Sequence, residues 1–412
     1  MKRNLMILAL VVAMMAISAP LFAADEAVKV GVGSLKIGGV FQAGFNYYVG
    51  DETLVQNADG SYSAADRPED MEFIVKRARL LFMGDVIEDR ITYLAQLEFA
   101  QDSAVGMGDI LLDMKMGFHY IPYTGIYVGR FLPNFTIFGP KSTAKLMLID
   151  YPLVNAIAPA ARQTGLDFGV VTPYLDADLG VFNGRAFFPP IVAPNANAPM
   201  GNQNWQDENT AKDIYFNLIG KPPVEGLTIH AGLWYGMPLD NFENDEGELI
   251  AHNASVMMID AGVQYLAPFG LTFIGELMYA TYDWDSADPT TNFEDDRDDD
   301  SYSVTSMAYY VMAGYNFGPM FEVPVELLVR YDALNPDTED DEETPYHAMS
   351  EQDGLSNITV GVNYYIKKQY AMLSLNYINR GEELEDVGNK AGDDTQDGYS
   401  NDEVKLQAQI SF

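Results

Sequence analysis

The chain has 412 residues, 60 of them acidic and 24 basic, and the resulting formal charge of −36 argues against a nucleic-acid binder, whose partner calls for a basic face. Hydrophobic residues make up 48% of it and aromatic ones 12%, too much apolar surface for an acidic disordered chain, so the protein folds or enters a membrane. There is no cysteine, which rules out disulfide scaffolds, zinc thiolates, iron–sulfur centres and thiol nucleophiles.

In chain order, the first element is a leader. A basic start, Met1-Lys2-Arg3-Asn4, precedes an apolar run from Leu5 to Ile17 and then small residues ending Leu21-Phe22-Ala23-Ala24. This is the pattern of a secretory signal peptide over residues 1–23, with cleavage after Ala23 or Ala24. The run is shorter than the 18 or more apolar residues of a spanning helix. The mature chain, 24–412, is therefore read as exported from a Gram-negative cell.

Beyond the leader no segment is long and apolar enough for a spanning helix, and the dominant pattern has period two. Strands are predicted at 34–49, 73–87, 91–101, 109–120, 125–131, 163–172, 177–184, 213–220, 226–237, 254–266, 271–283, 303–317, 323–334, 355–366, 370–380 and 403–412, sixteen in all. The last is the clearest: Val404, Leu406, Ala408, Ile410 and Phe412 share one face, and Lys405, Gln407, Gln409 and Ser411 the other. Short turns such as Glu88-Asp89-Arg90, Pro268-Phe269-Gly270 and Lys367-Lys368-Gln369 alternate with mostly long connections near 50–72, 132–162, 185–212, 238–253, 284–302, 335–354 and 381–402. An even number of strands with short turns on one side and longer loops on the other is the design of an outer-membrane barrel, where closure removes every unpaired edge. The fold class expected is all-β, a 16-stranded antiparallel transmembrane β-barrel. Aromatics near strand ends, among them Tyr47 and Tyr48, Tyr120 and Tyr123, Trp234 and Tyr235, and Tyr282 and Trp284, are read as an interfacial girdle. The terminal Phe412 is read as an assembly signal for the barrel machinery.

The candidate functional residues lie on the faces turned to water. Arg77 and Arg79 share a face of the second strand; Asp113, Lys115 and His119 share one on the fourth; Glu326, Arg330 and Asp332 share one on the thirteenth. A barrel of 16–18 strands leaves an aqueous channel, so charges pointing inward set selectivity. Acidity is concentrated elsewhere, in runs such as Glu294–Asp300 and Glu339–Glu343, read as solvated tips. The segment Leu132–Arg162 differs, since it is apolar throughout and carries Lys141, Lys145 and Arg162 against the single acid Asp150. It is read as a loop folded into the pore, where its basic residues face the constriction.

Lys76-Arg77-Ala78-Arg79-Leu80 followed by Gly84, with Tyr93, Gln96, Leu97 and Phe99 on the next strand, resembles the early hairpin of the phosphate-selective porin O and P family. Val128-Gly129-Arg130-Phe131 before Pro133 is similar to that family's strand leading into its constriction loop. The resemblance implies a trimeric channel in which Arg77, Arg79 and Arg130 guide oxyanions such as phosphate. The pore-lining set expected is thus Arg77, Arg79, Lys115, Arg130, Lys141, Lys145 and Arg162. The partners expected are outer-membrane lipid and lipopolysaccharide, small ions and solutes, the barrel assembly machinery and two further copies of the chain. No catalytic residue, metal or cofactor is assigned, because His119, His230, His252 and His347 are scattered with no nucleophile motif beside them. The competing readings are a general or cation-preferring porin, and a barrel acting as an adhesin or structural protein.

Overall fold

The computed structural model describes residues 28–30, 33–49, 52–56, 62–66, 70–100, 110–158, 162–184, 211–237, 239–243, 249–284, 302–335, 338, 354–383 and 402–412. The signal peptide and the acidic runs at 294–300 and 339–343 lie outside the described residues. Sixteen strands form the wall: β1 (Gly33–Tyr48), β2 (Asp70–Ile87), β3 (Ile91–Glu98), β4 (Leu111–Phe118), β5 (Thr124–Phe131), β6 (Gln163–Val171), β7 (Leu175–Phe182), β8 (Asp213–Gly220), β9 (Leu227–Gly236), β10 (Leu249–Leu266), β11 (Leu271–Trp284), β12 (Tyr302–Asn316), β13 (Val325–Asn335), β14 (Gly354–Lys367), β15 (Ala371–Glu383) and β16 (Glu403–Ser411). Each pairs antiparallel with the next, and β16 returns to β1 in a register running from Val40↔Ser411 to Tyr48↔Glu403. The sheet is therefore a closed barrel, and every predicted strand has its counterpart in it.

Differences appear at the outer ends. β10 begins at Leu249 rather than 254, because Leu239–Glu243 pairs with its first residues. The connection read as a plain loop at 50–72 contains a hairpin of Glu52–Gln56 with Tyr62–Asp66. On the other side the seven connections are tight, and Asp89, Tyr123, Glu322 and Lys368 each take positive φ to turn the chain. The turn from β12 to β13 is built around a single helical turn, Gly318–Phe321.

The alternation of side chains is the reverse of a soluble protein's. On β13, Leu327, Val329 and Tyr331 are exposed while Glu326, Arg330 and Asp332 are buried; on β14, Ile358, Val360, Val362 and Tyr364 are exposed while Thr359 and Asn363 are buried. Hydrocarbon outside accepts apolar groups and can pair with no backbone, so the lipid side is greasy and the polar groups turn inward. The girdle reading needs correction at two places. Trp234 is 0% exposed and Tyr282 2%, so both point into the barrel, while their neighbour Tyr235 faces out. Adjacent residues of a strand face opposite ways, so only one of each adjacent pair can reach lipid.

One irregularity repositions charge. Gln42 pairs with Arg77 but Ala43 pairs with Val75, which leaves Lys76 as the extra residue of a β-bulge. The bulge switches the parity of β2: Met71, Phe73 and Val75 face outward, whereas Arg77 is buried on the inner side.

Candidate functional site in the barrel lumen

The lumen has two unlike halves. From β7 to β13 the inner wall carries an apolar cluster, made of Phe182, Tyr215, Trp234, Val256, Met258, Ile274, Met278, Tyr282, Tyr310, Met312 and their neighbours, with buried polar residues set among them. Tyr215 and Trp234 stack at 5.4 Å and Phe182 and Tyr215 at 5.6 Å. Tyr215 lies so flat on Gly180 that a Cβ there would sit 2.0 Å from its ring, which explains why glycine stands at that position. Onto this wall packs the segment after β5. Its Phe135, Phe138, Leu146, Leu148, Leu153, Val154 and Ile157 are buried in the same cluster, with Phe135 edge-on to Trp234 at 5.7 Å and Phe138 against Tyr310 at 5.9 Å. Each fully buried side chain of this size is worth about 1.5–3 kcal/mol relative to exposure.

Polar wall residues fasten the segment's backbone along its length, which matters because most of it has no regular partner. The Ile137 amide donates to Glu276 Oε1 at 2.6 Å, the Ile149 amide to Asn376 Oδ1 at 2.8 Å and the Leu153 amide to Asp332 Oδ1 at 3.0 Å. In the other direction Gln42, Asn363 and Gln409 donate to the carbonyls of Thr143, Met147 and Ala144 at 3.2, 2.7 and 3.0 Å. Arg330 donates to the carbonyls of Asp150 (2.9 Å) and Tyr151 (3.2 Å) while its Nε rests on Asp332 Oδ2 at 2.9 Å. Among its described residues the regular structure of the segment is two single turns, Thr143–Lys145 and Val154–Ile157.

The opposite half of the lumen, β1 to β5 with β16, carries the basic groups. Arg77 is buried and donates to Gln42 Oε1 at 2.7 Å, a neutral partner, with Tyr151 stacked 6.0 Å away. Arg79 binds Glu98 Oε2 at 2.6 Å and reaches Thr143 Oγ1 at 3.3 Å. Lys115 lies over the rings of Tyr127 (4.8 Å) and Phe131 (5.2 Å). Arg130 is buried, and Arg162 holds Asp113 with two parallel bonds of 3.0 and 3.1 Å. On the segment itself Lys145 is exposed, while Lys141 donates to Gln264 Oε1 at 2.6 Å and covers Phe138. Burial lowers the Lys141 ammonium to about 8, with Glu276 opposing the shift and Lys145 adding to it.

Sequence reasoning passed over Lys76, Asp150 and Lys405. Lys76 and Lys405 both hold the Asp150 carboxylate, the latter at 2.8 Å. Burial works to raise that acid, but the two ammonium groups outweigh it and hold it well below the usual carboxylate range. The signal was present in the alternation, since Phe73 and Val75 share the parity of Arg77 and Arg79 and cannot share their environment without a bulge.

The model of the family "phosphate-selective porin O and P" matches residues 251–412, from within β10 to the terminal Phe412. The match lies apart from Phe73–Pro133, whose residues carry the resemblance noted in the sequence. No curated protein matches the chain. Among solved structures, the outer-membrane channel DcaP of Acinetobacter baumannii is 13% identical with a TM-score of 0.59, covering 94% of this chain and 100% of that one. An anion-selective porin from Comamonas acidovorans is 13% identical (TM-score 0.55, 92% and 100% covered), and the Salmonella typhi OmpF complex with daunomycin is 12% identical (TM-score 0.54, 94% and 100% covered). At such identities the likeness is one of fold.

Proposed function

We propose that this outer-membrane barrel of a Gram-negative cell, porin-like in fold and matched over residues 251–412 by the porin O and P family, is a water-filled channel for small hydrophilic solutes that favours anions at its narrowest zone. The observation that carries this reading is the state of three cations, two on the basic half and one on the inward segment. Arg77, Lys115 and Lys145 have no carboxylate within ion-pair distance among the described residues, whereas Arg79, Arg162 and Lys405 do. A cation without an ion-paired carboxylate keeps more of its charge for a passing ion than one held in a salt bridge. The segment between β5 and β6 supplies the confinement: it packs on the apolar cluster, meets Arg77 through Tyr151 and Arg79 through Thr143, and contributes Lys145 itself.

The acidity of the chain as a whole does not decide the matter. Between Phe73 and Arg185 there are 10 basic and 11 acidic residues, so most of the 60 acids lie outside the stretch that carries the candidate pore residues. Two unit charges 4 Å apart interact by about 1 kcal/mol in bulk water and about 4 kcal/mol at an effective dielectric of 20, so charges met in the narrow zone dominate. The field of distant loop carboxylates decays over about 8 Å at physiological salt. The anion-selective porin from Comamonas shows that a barrel of this fold can serve such selectivity.

The test is the reversal potential of single channels across a salt gradient, taken at a low and a high mean concentration. Anion preference in concentrated salt, lost in the variant Arg77→Ala with Arg79→Ala, is the expected result. Cation preference persisting in concentrated salt and unmoved by that variant would leave a general or cation-preferring porin. A folded, inserted barrel with no conductance would point to the adhesin or structural alternative.

A further inference from the structure

On the apolar half of the wall three ionisable groups meet that the channel reading does not use. His230 on β9, Asp260 on β10 and Glu276 on β11 bring an imidazole nitrogen and two carboxylate oxygens within 4.8 Å of one another, and all three residues are at least 95% buried. The register makes the meeting specific. His230 pairs with Gly262 and Gly262 with Glu276, so a glycine separates the two in one cross-strand row, and Asp260 stands two residues along on the same face. The missing side chain at Gly262 leaves a recess closed from above by Ile137, whose Cδ1 would lie 2.7 Å from a Cβ built there.

The groups satisfy one another only in part. His230 Nδ1 comes within 2.5 Å of Asp260 Oδ1, yet both ring nitrogens of His230, both oxygens of Asp260 and Glu276 Oε2 are buried without a partner in hydrogen-bond geometry. The remaining Glu276 oxygen is taken by the Ile137 amide. Two carboxylates and an imidazole enclosed in this way are costly unless something compensates them. A proton on each acid would remove charge but leave acceptors unmatched. A divalent cation removes the charge and takes the lone pairs together.

We propose that His230, Asp260 and Glu276 form a binding site for one divalent transition-metal ion, built into the wall under the inward segment. One imidazole and two carboxylates with no thiolate are a donor set for zinc, manganese or iron(II); the imidazole disfavours magnesium and calcium, and the lack of sulfur disfavours copper(I). Three protein ligands leave at least one coordination position for water. The ion would tie β9, β10 and β11 to each other and, through Glu276 and the Ile137 amide, to the start of the segment. The site is thus a structural pin and does not depend on which ions the pore conducts.

The full mature chain is refolded in detergent with zinc chloride, passed through a desalting column and assayed for metal, alongside the variant His230→Ala, Asp260→Asn, Glu276→Gln. The expected result is one zinc retained per wild-type chain and none by the variant, with His230→Ala alone weakening binding at least tenfold. Equal retention by wild type and variant would assign all binding to exposed acidic residues and overturn the proposal. So would a zinc-free wild type, with protonated acids filling the recess. If the triple variant does not reach the heat-modifiable folded form, wild type refolded with cobalt(II) carries the test. Visible absorption from an imidazole-ligated ion that excess calcium does not displace supports the site, and complete displacement by calcium refutes it.

Discussion

Asp332 is the most informative single residue for asking whether the inward segment sets the width of the channel. It is fully buried; one oxygen receives Arg330 Nε at 2.9 Å and the other the Leu153 amide at 3.0 Å, while Arg330 in turn holds the carbonyls of Asp150 and Tyr151. Asp332→Ala leaves a buried guanidinium without its counterion, a change that costs about 3–5 kcal/mol when one partner of a buried pair is removed. It also orphans an amide, worth about 1–3 kcal/mol if water cannot reach it. The first loss is felt whether or not the segment stays docked, so the second sets the scale for release. Since each 1.4 kcal/mol is a factor of ten, release of residues 150–153 from β13 is eased by roughly one to two powers of ten. The rest of the segment stays anchored at Ile137, Thr143, Met147 and Ile149, so the barrel itself should still form. Single-channel recordings should then show flicker to a larger conductance that wild type lacks, and Asp332→Asn, which keeps an acceptor for Leu153, should show less of it. Wild-type conductance and noise from Asp332→Ala channels, in material that shifts on heating as a folded barrel does, would refute the idea that this clamp controls pore width.

Excising Thr136–Tyr151 while preserving closure should raise unit conductance in planar bilayers, and an unchanged value in an inserted variant would move the constriction elsewhere. Because burial brings Lys141 to about 8, it is mostly charged at pH 6 and mostly neutral above pH 9, so anion preference should decline through that window. An exposed lysine, which titrates near 10.4, would be silent there, and Lys141→Met should remove the midpoint from the reversal-potential curve. Deleting Phe412 removes the bonds between its backbone and that of Gly39, at 2.9 and 3.1 Å, and the ring stacked on Phe41. The amount of heat-modifiable barrel in outer membranes should fall, and wild-type levels would count against its role in assembly.

Period-two alternation was enough to place all sixteen strands, because a wall facing lipid on one side and water on the other forces that pattern on every segment. What stayed hidden depends on register between strands, which no local window contains. The convergence of His230, Asp260 and Glu276 is set by the pairing of β9, β10 and β11, and the inward turn of Lys76 by a single inserted residue. A further clue was readable in β11. Ile274, Met278, Ala280 and Tyr282 alternate with Phe273, Leu277 and Tyr279, so both faces are apolar. Such a strand must be covered on both sides, by lipid on one and by protein on the other. That partner is the segment between β5 and β6. The candidate pore residues were legible as types on faces, but which of them are neutralised, as Arg162 is by Asp113, follows only from geometry.

The seam where the two ends of the chain meet has a consequence for biogenesis. Arg77, Gln42 and Gln409 form one row across β2, β1 and β16, and Gln42 and Gln409 both donate to the backbone at Thr143–Ala144, while Lys405 of β16 secures Asp150. β16, by pairing with both β15 and β1, therefore completes the wall and supplies part of the mooring for the segment inside it. A sheet still open at this edge lacks those attachments, while the bonds that Glu276, Asn376 and Asp332 make to the segment do not depend on closure. A chain truncated before Lys405 loses the closing strand and, with it, the part of the mooring at Ala144 and Asp150 that β16 supplies, which makes an unclosed intermediate structurally distinct from the finished product.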